Sequence, residues 1–369
     1  MTQNRLQRLH DAGQSIWLDF IERGMLHDGT LQRRITDDVL TGMTSNPTIF
    51  EKALAEGNTY DAQINEAAGD LSARQLFELI ATTDVRDACD AFAGIYRETK
   101  GGDGYVSIEV SPAAANDSAA TIAEARRLWK TVGRPNVMIK VPGTVEGATA
   151  VRQLISEGIN VNITLLFAIA AHDRVIDAYM AGLEDRSAAG QPIDRIASVA
   201  SFFVSRVDTE VDKRLGASSA ALHGKAAVAN AKLAYALFAE RFDTDRWRTL
   251  AAKGARLQRP LWASTSTKNP AYRDVLYVED LIGPDTVNTM PPNTIEAFRD
   301  HGEVKRTVDA DLDQARAEIA AVEAAGVSMQ EVTAQLLVDG LASFQKSFDS
   351  LIAGLAKKSQ QLGRHLVTG

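Results

Sequence analysis

Val137-Met138-Ile139-Lys140-Val141-Pro142-Gly143 sets one lysine among four apolar residues and closes on a Pro-Gly stop. A short apolar run bounded in this way reads as a fully buried strand. Lysine is the odd residue in it. Burying an ammonium without a partner is costly, so such surroundings favour the neutral amine. A neutral amine is a nucleophile that forms a Schiff base with a carbonyl compound. The plainer reading of the same stretch is a strand-end lysine whose head snorkels into water. The choice turns on what the other strands carry.

Seven further stretches read as strands: Ser15–Phe20, Gly42–Pro47, Tyr105–Val110, Ile159–Leu165, Ile196–Phe202, Pro260–Ser264 and Thr286–Met290. Between them lie patterns with helical spacing, expected over residues 2–12, 30–41, 51–68, 71–99, 117–131, 144–157, 167–183, from Val204 to Leu215, and over 225–241. Strands alternating with helices imply a parallel sheet with helical crossovers, and eight such units close into a (β/α)8 TIM barrel of the α/β class. Gly101-Gly102-Asp103-Gly104 precedes a strand rather than a helix, so it reads as a loop and not as a phosphate cradle. From Ser328 onward Val332, Leu337, Leu341, Phe344, Phe348, Leu351 and Leu355 form one apolar stripe. It predicts a long C-terminal helix packed across the barrel or on a neighbouring subunit. One domain over residues 1–369 is expected, with helical insertions and an extension from about residue 305.

Bulk properties narrow the function classes. Apolar residues make up 45% and charged residues 24% of the 369, ample for a globular core. A net charge of −8 advertises no basic face for nucleic acid. No apolar run is long enough to span a membrane, and no signal-peptide core opens the chain. Cys89 stands alone, which excludes an internal disulfide and fits a reducing compartment, so a soluble cytoplasmic protein is expected. The six histidines show no paired metal-ligand spacing, and there is no Gly-x-Gly-x-x-Gly after a strand and no Gly-Lys-Ser/Thr phosphate loop. Asp309-Ala310-Asp311-Leu312-Asp313 resembles the start of a calcium loop but has Gln314 at position six and Ala320 at position twelve, so it reads as a helix N-terminus.

In a barrel of this kind the chemistry sits at the C-terminal ends of the strands. Asp19, Glu109 and Lys140 each stand just before a strand stop, strand two runs into Asn46, and strand five carries Asn162 and Thr164. Singly, each is satisfied by a solvated strand end or a helix cap. Converging on one mouth, a lysine and two carboxylates alter one another's titration. Schiff-base chemistry needs such a set: an amine to attack, a group to move protons, and a carboxylate with a hydroxyl partner to hold a water. Asp19 and the Glu109–Thr164 pair suit the last two roles. Arg206, one turn into the helix after strand six, and Ser264, Ser266 and Lys268, after strand seven, suggest a phosphate monoester site.

These segments resemble the transaldolase family, in its longer bacterial branch. The resemblance rests on Ile16–Asp19, Thr44–Phe50, Val106–Val110, Val137–Pro142, Ile159–Phe167, Ser201–Asp208 and Ala263–Pro270, which run in family order over nearly the whole chain. It implies a class I mechanism without metal or organic cofactor, in which Lys140 is the Schiff-base nucleophile and Asp19 the proton-transfer group, with Glu109 and Thr164 holding a catalytic water. It further implies that Asn46, Asn162 and Ser201 bind a dihydroxyacetone unit and that Arg206, Ser266 and Lys268 take the substrate phosphate. The reaction implied moves dihydroxyacetone from sedoheptulose 7-phosphate to glyceraldehyde 3-phosphate, in a monomer or homodimer. Two positions depart from the family pattern: Ser45 where threonine is commoner, and Ser111 where aspartate is common. A related fructose 6-phosphate aldolase would release free dihydroxyacetone, but such relatives carry glutamine at the Glu109 position and tyrosine at the Phe203 position, which favours transfer here. A silent sugar-phosphate-binding barrel is the third reading, and it offers no reason to keep the lysine with two carboxylates.

Overall fold

The computed structural model describes residues 4–55, 57–67, 69 and 71–367. Its centre is eight strands: β1 (Gln14–Asp19), β2 (Leu40–Thr44), β3 (Tyr105–Glu109), β4 (Val137–Pro142), β5 (Val161–Leu166), β6 (Ser198–Phe203), β7 (Gln258–Ala263) and β8 (Thr286–Met290). They form a closed barrel in sequence order, and β1 closes it against β8 in parallel register. Every residue of β4, β5 and β6 is buried, because one face fills the barrel and the other lies under the helical ring. That explains the apolar bias of their sequences, broken by Lys140, Asn162, Thr164, Ser198 and Ser201.

Local signals set the connections around the site. Asp117 caps helix Ser118–Val132 through the Ala120 amide, and that helix stops at Gly133 in left-handed geometry, so β4 follows directly. Thr144 caps helix Val145–Glu157 in the same way, accepting from the Gly147 amide, and Gly158 ends it. These two crossovers align β3, β4 and β5, with Glu109 beside Lys140 and Lys140 beside Asn162. Leu165 adopts φ 58°, and the β5–β6 register shifts between Ile163 and Leu166. A break of this kind re-aims the flanking side chains, here next to Thr164.

Three expectations are corrected. The helix predicted over 30–41 stops at Asp37, Val39 turns the chain at φ 55°, and Leu40 opens β2 by pairing with Ile16. Leu31, Ile35, Val39 and Leu40 do fit helical spacing, but sheet pairing overrides the local pattern for the last two. The second strand consequently lies earlier, ending at Thr44. The helix predicted over 51–68 starts at Pro47, runs to Ala55 and resumes as Asp61–Ala67; residues 56 and 68 lie outside the described set. Pro47 and Pro292 open helices here, since proline is well suited to a first helical turn where its missing N–H costs nothing. Helices Arg23–His27, Asp245–Ala251, Leu276–Glu279 and Pro292–His301 were not anticipated. The acidic stretch at 309–313 leads into helix Leu312–Ala324, as expected of a helix N-terminus.

The C-terminal helix is Met329–Gln361, 33 residues, capped by Ser328. Its stripe of Val332, Leu336, Phe344, Phe348, Leu351 and Leu355 is buried, and it packs on its own chain against helices Pro47–Ala55, Ala73–Ala91 and Ser205–Leu215 and against β5. Gly340 permits the closest approach: a Cβ there would lie 3.0 Å from Leu165 Cδ2 and 3.6 Å from Arg206 Nη1. Cys89 is buried, and burial pushes its thiol well above the ordinary range, as expected of a structural cysteine.

Inside the barrel, Gly42 faces the Trp17 indole, whose Nε1 donates to Asp103 Oδ1 at 2.8 Å. A Cβ on Gly42 would sit 2.6 Å from that ring. Gly42→Ala should therefore overpack the β1–β2 contact by about 1–3 kcal/mol and lower Tm by roughly 3–8 °C. Thermal unfolding of the variant checks it, and an unchanged Tm would show that Trp17 is free to move.

Candidate active site

Lys140 projects from β4 with its side chain 5% exposed. Its Nζ donates to the Ser45 carbonyl at 3.2 Å, and Glu109 Oε2 stands 3.6 Å away, within ion-pair distance. Both contacts follow from the register, since Glu109 pairs directly with Lys140 and Ser45 follows the end of β2. Burial raises the Glu109 carboxyl to about 7; Lys140 pulls it down, and the negative charge of Asp19 pushes it up. Thus the loss of hydration outweighs the attraction of the neighbouring amine.

Asp19 ends β1 and is also raised by burial, but more forces oppose the rise. Lys140 attracts it, Thr44 Oγ1 donates to its Oδ1 at 2.7 Å, and Arg206 and Lys268 act from farther off. The Thr44 hydroxyl in turn meets Thr289 Oγ1 at 2.6 Å, so β1, β2 and β8 share one polar chain. Thr44 and Thr289 were missed in the sequence. The signal for Thr44 was present, because it is the residue paired across from Asp19 in β2.

A cavity of about 590 Å³ at the C-terminal ends of the strands gathers Asp19, Asn46, Lys140, Ser201, Phe203, Arg206, Ser266 and Lys268. Eight of the eleven expected residues thus share one space. The other three sit beside or beneath it. Asn162 is fully buried, its Nδ2 donating to Ser107 Oγ at 2.9 Å and its Oδ1 accepting from Ser201 Oγ at 2.6 Å. Glu109 lines a neighbouring cavity of about 820 Å³ that shares Asn46 with the first. Thr164 is fully buried. Glu109 Oε2 has only the Lys140 amine at 3.6 Å, and Thr164 Oγ1 is buried without a hydrogen-bond partner among the described residues. Leaving a buried hydroxyl unpaired costs about 1–3 kcal/mol.

The far end of the cavity is cationic. Arg206 stacks its guanidinium 5.2 Å from the Phe203 ring centroid and 5.9 Å from that of Phe344, on the C-terminal helix. Its acidity rises through burial, against the pull of Asp19. Lys268 Nζ donates to Ser266 Oγ at 2.8 Å, while Ser264, at φ 56°, turns the chain just after β7 and bonds Ser205 Oγ at 2.9 Å. Among the described residues, no group of His, Cys, Asp and Glu is arranged to hold a metal ion. Phe344, Lys52 and Asn293 also line the cavity and were not anticipated.

Fold and site together define a (β/α)8 barrel enzyme built around one buried lysine flanked by carboxylates. The chain belongs to the Transaldolase/Fructose-6-phosphate aldolase family, whose model matches residues 16–355. It is 50% identical over 366 residues to a transaldolase of Thermobifida fusca, covering 98% of this chain and 99% of that protein. It is 46% identical over 377 residues to one of Trichodesmium erythraeum, covering 98% and 99% respectively. To Transaldolase 1 of Streptomyces coelicolor it is 47% identical over 368 residues, covering 98% and 97%.

Thr44→Val removes the hydroxyl that donates to Asp19, and with it an interaction favouring the carboxylate. The Asp19 carboxyl should rise further, so the acid limb of the kcat/KM profile should move to higher pH. A profile that keeps its acid limb would dissociate Asp19 from that ionisation.

Proposed function

We propose that this chain is a transaldolase whose covalent residue is Lys140, a reading carried by the buried Nζ held between Glu109 and the Ser45 carbonyl at the mouth of the barrel. The enzyme transfers a dihydroxyacetone unit from sedoheptulose 7-phosphate to glyceraldehyde 3-phosphate, giving erythrose 4-phosphate and fructose 6-phosphate. The amine attacks the donor's C2 carbonyl, and the carbinolamine loses water to become an iminium. Asp19 then takes the proton from the C4 hydroxyl as the C3–C4 bond breaks. The bonding electrons pass into the iminium as an enamine, and the aldehyde leaves. The enamine carbon attacks the acceptor aldehyde, and Asp19 returns the proton to the new hydroxyl. Water, held by the Glu109 carboxyl and the unpaired Thr164 hydroxyl, hydrolyses the product iminium.

Asn46, Ser201 and Asn162 orient the three-carbon unit. Asn162 is itself held rigidly between Ser107 and Ser201. Phe203 shapes the wall under Arg206, and Arg206, Ser266 and Lys268 hold the phosphate. A rigid guanidinium fork with a flexible ammonium suits a phosphate monoester. The names of the relatives support transfer rather than release of free dihydroxyacetone. The same reading makes residues 1–369 one domain acting in the cytoplasm as a monomer or homodimer, in keeping with a single buried thiol and a C-terminal helix packed on its own chain.

Borohydride reduction in the presence of fructose 6-phosphate should leave a modified Lys140 peptide on mass mapping; an unmodified one sinks the assignment. Lys268→Ala should raise KM for phosphorylated substrates far more than it lowers kcat, as lost uniform binding does. An unchanged KM would remove Lys268 from the phosphate end.

A further inference from the structure

The cavity that holds Arg206 and Lys268 carries a further cation on its lining, Lys52. Helix Pro47–Ala55 starts immediately after Asn46, and Thr48, Ile49 and Lys52 all line the cavity. Steps of three and four residues place those side chains on one helix face. Lys52 is exposed to solvent and also lines the cavity, so its ammonium stands at the cavity's rim. Among the described residues no carboxylate forms an ion pair with it, in a protein that carries a net charge of −8. Lys268 senses it: after burial and the Arg206 charge, and against the pull of Asp19, the Lys52 charge also weakens the hold of Lys268 on its proton. Like charges left facing one another across a cavity are unfavourable unless an anion enters between them.

We infer that Lys52 is a third phosphate-binding cation, acting beside Arg206 and Lys268 at the anion end of the same cavity. The inference rests on the proposed phosphate site. Charge balance supports it, since Arg206, Lys268 and Lys52 face only Asp19, and a phosphate monoester brings roughly −1.5 to −2. The division of labour follows from the side chains. Arg206 is clamped between Phe203 and Phe344 and gives a fixed contact. Lys52 and Lys268 are flexible stems from different segments, one on helix Pro47–Ala55 and one in the loop after β7. With C2 anchored on Lys140, the phosphate of a seven-carbon donor lies one carbon farther out than that of a six-carbon one, and two movable cations accommodate both. Thr48 Oγ1 donates to Ser347 Oγ of the C-terminal helix at 2.9 Å, which steadies the helix bearing Lys52.

The test compares Lys52→Gln, Lys52→Arg and Lys268→Ala, using fructose 6-phosphate, unphosphorylated fructose and inorganic phosphate as a competitive inhibitor. In Lys52→Gln, the kcat/KM ratio of fructose 6-phosphate to fructose should fall about three- to tenfold, as for a partly exposed charge contact. The inhibition constant for phosphate should rise by a similar factor, and Lys52→Arg should restore most of both. If Lys268→Ala shifts both readings and Lys52→Gln shifts neither, Lys52 is outside a phosphate site that stands. If neither variant shifts them, the phosphate site itself is misplaced and this inference falls with it.

Discussion

A lysine amine and a glutamate carboxyl, each about 95% withdrawn from water and 3.6 Å apart, impose the main constraint on this molecule. Neither group is at ease there. Burial pushes Glu109 to about 7 in spite of the neighbouring lysine, so attraction between the partners only partly offsets lost hydration. Breaking such a pair from one side costs about 3–5 kcal/mol, whereas an apolar pair of similar size would often be at least as stable. The arrangement therefore stabilises nothing that leucines could not. It persists because the strands leave no alternative: β3 and β4 are in fixed register, and the Ser45 carbonyl accepts from the amine on the remaining side. A closed barrel holds that geometry rigidly, since no strand can slip without turning its buried set of side chains to the wrong face.

The two carboxylates differ in their surroundings. Asp19 has a hydroxyl donor and three cations acting on it, and lines the same cavity as Lys140. Glu109 has Lys140 alone among favourable partners, and lines the adjoining space. Two acids with environments pushing their titrations apart can serve one reaction in different roles. In the proposed mechanism Asp19 exchanges a proton with substrate. Glu109, whose carboxyl is raised to about 7, handles water there.

Much of this was legible in the chain before any coordinates, because both signals are local. Most strands of the barrel are short, largely apolar stretches with a stop, and Asp19, Glu109 and Lys140 each precede such a stop. Register then brings them together without further information. Legibility failed where tertiary pairing overrules spacing. Val39 and Leu40 continue a helical pattern, yet one turns and the other enters the sheet. It failed again at Pro47, where proline opens a helix instead of ending structure, and so the helix bearing Lys52 was read as starting too late. Thr289 contributes a hydroxyl to the Asp19 chain from β8, which meets β1 only because the barrel closes. Such a contact spans 245 positions and leaves no periodic trace.

The C-terminal helix shows how far periodicity reaches and where it stops. Its apolar stripe predicts a buried face, but no spacing rule says which surface covers it. That surface is the barrel's own mouth. Phe344 joins the cavity wall and stacks on Arg206, and Gly340 lets the helix backbone come within contact of Leu165 and Arg206. Leu165 is the left-handed residue at the break in β5, directly after Thr164. One helix therefore abuts the strained turn beside the buried hydroxyl and the guanidinium at the anion end. A substitution that widened the helix at Gly340 would press on both at once. Seen this way, the helix completes a cavity that the eight strands leave open on one side, and the residues that finish it come from the end of the chain farthest in sequence from Asp19.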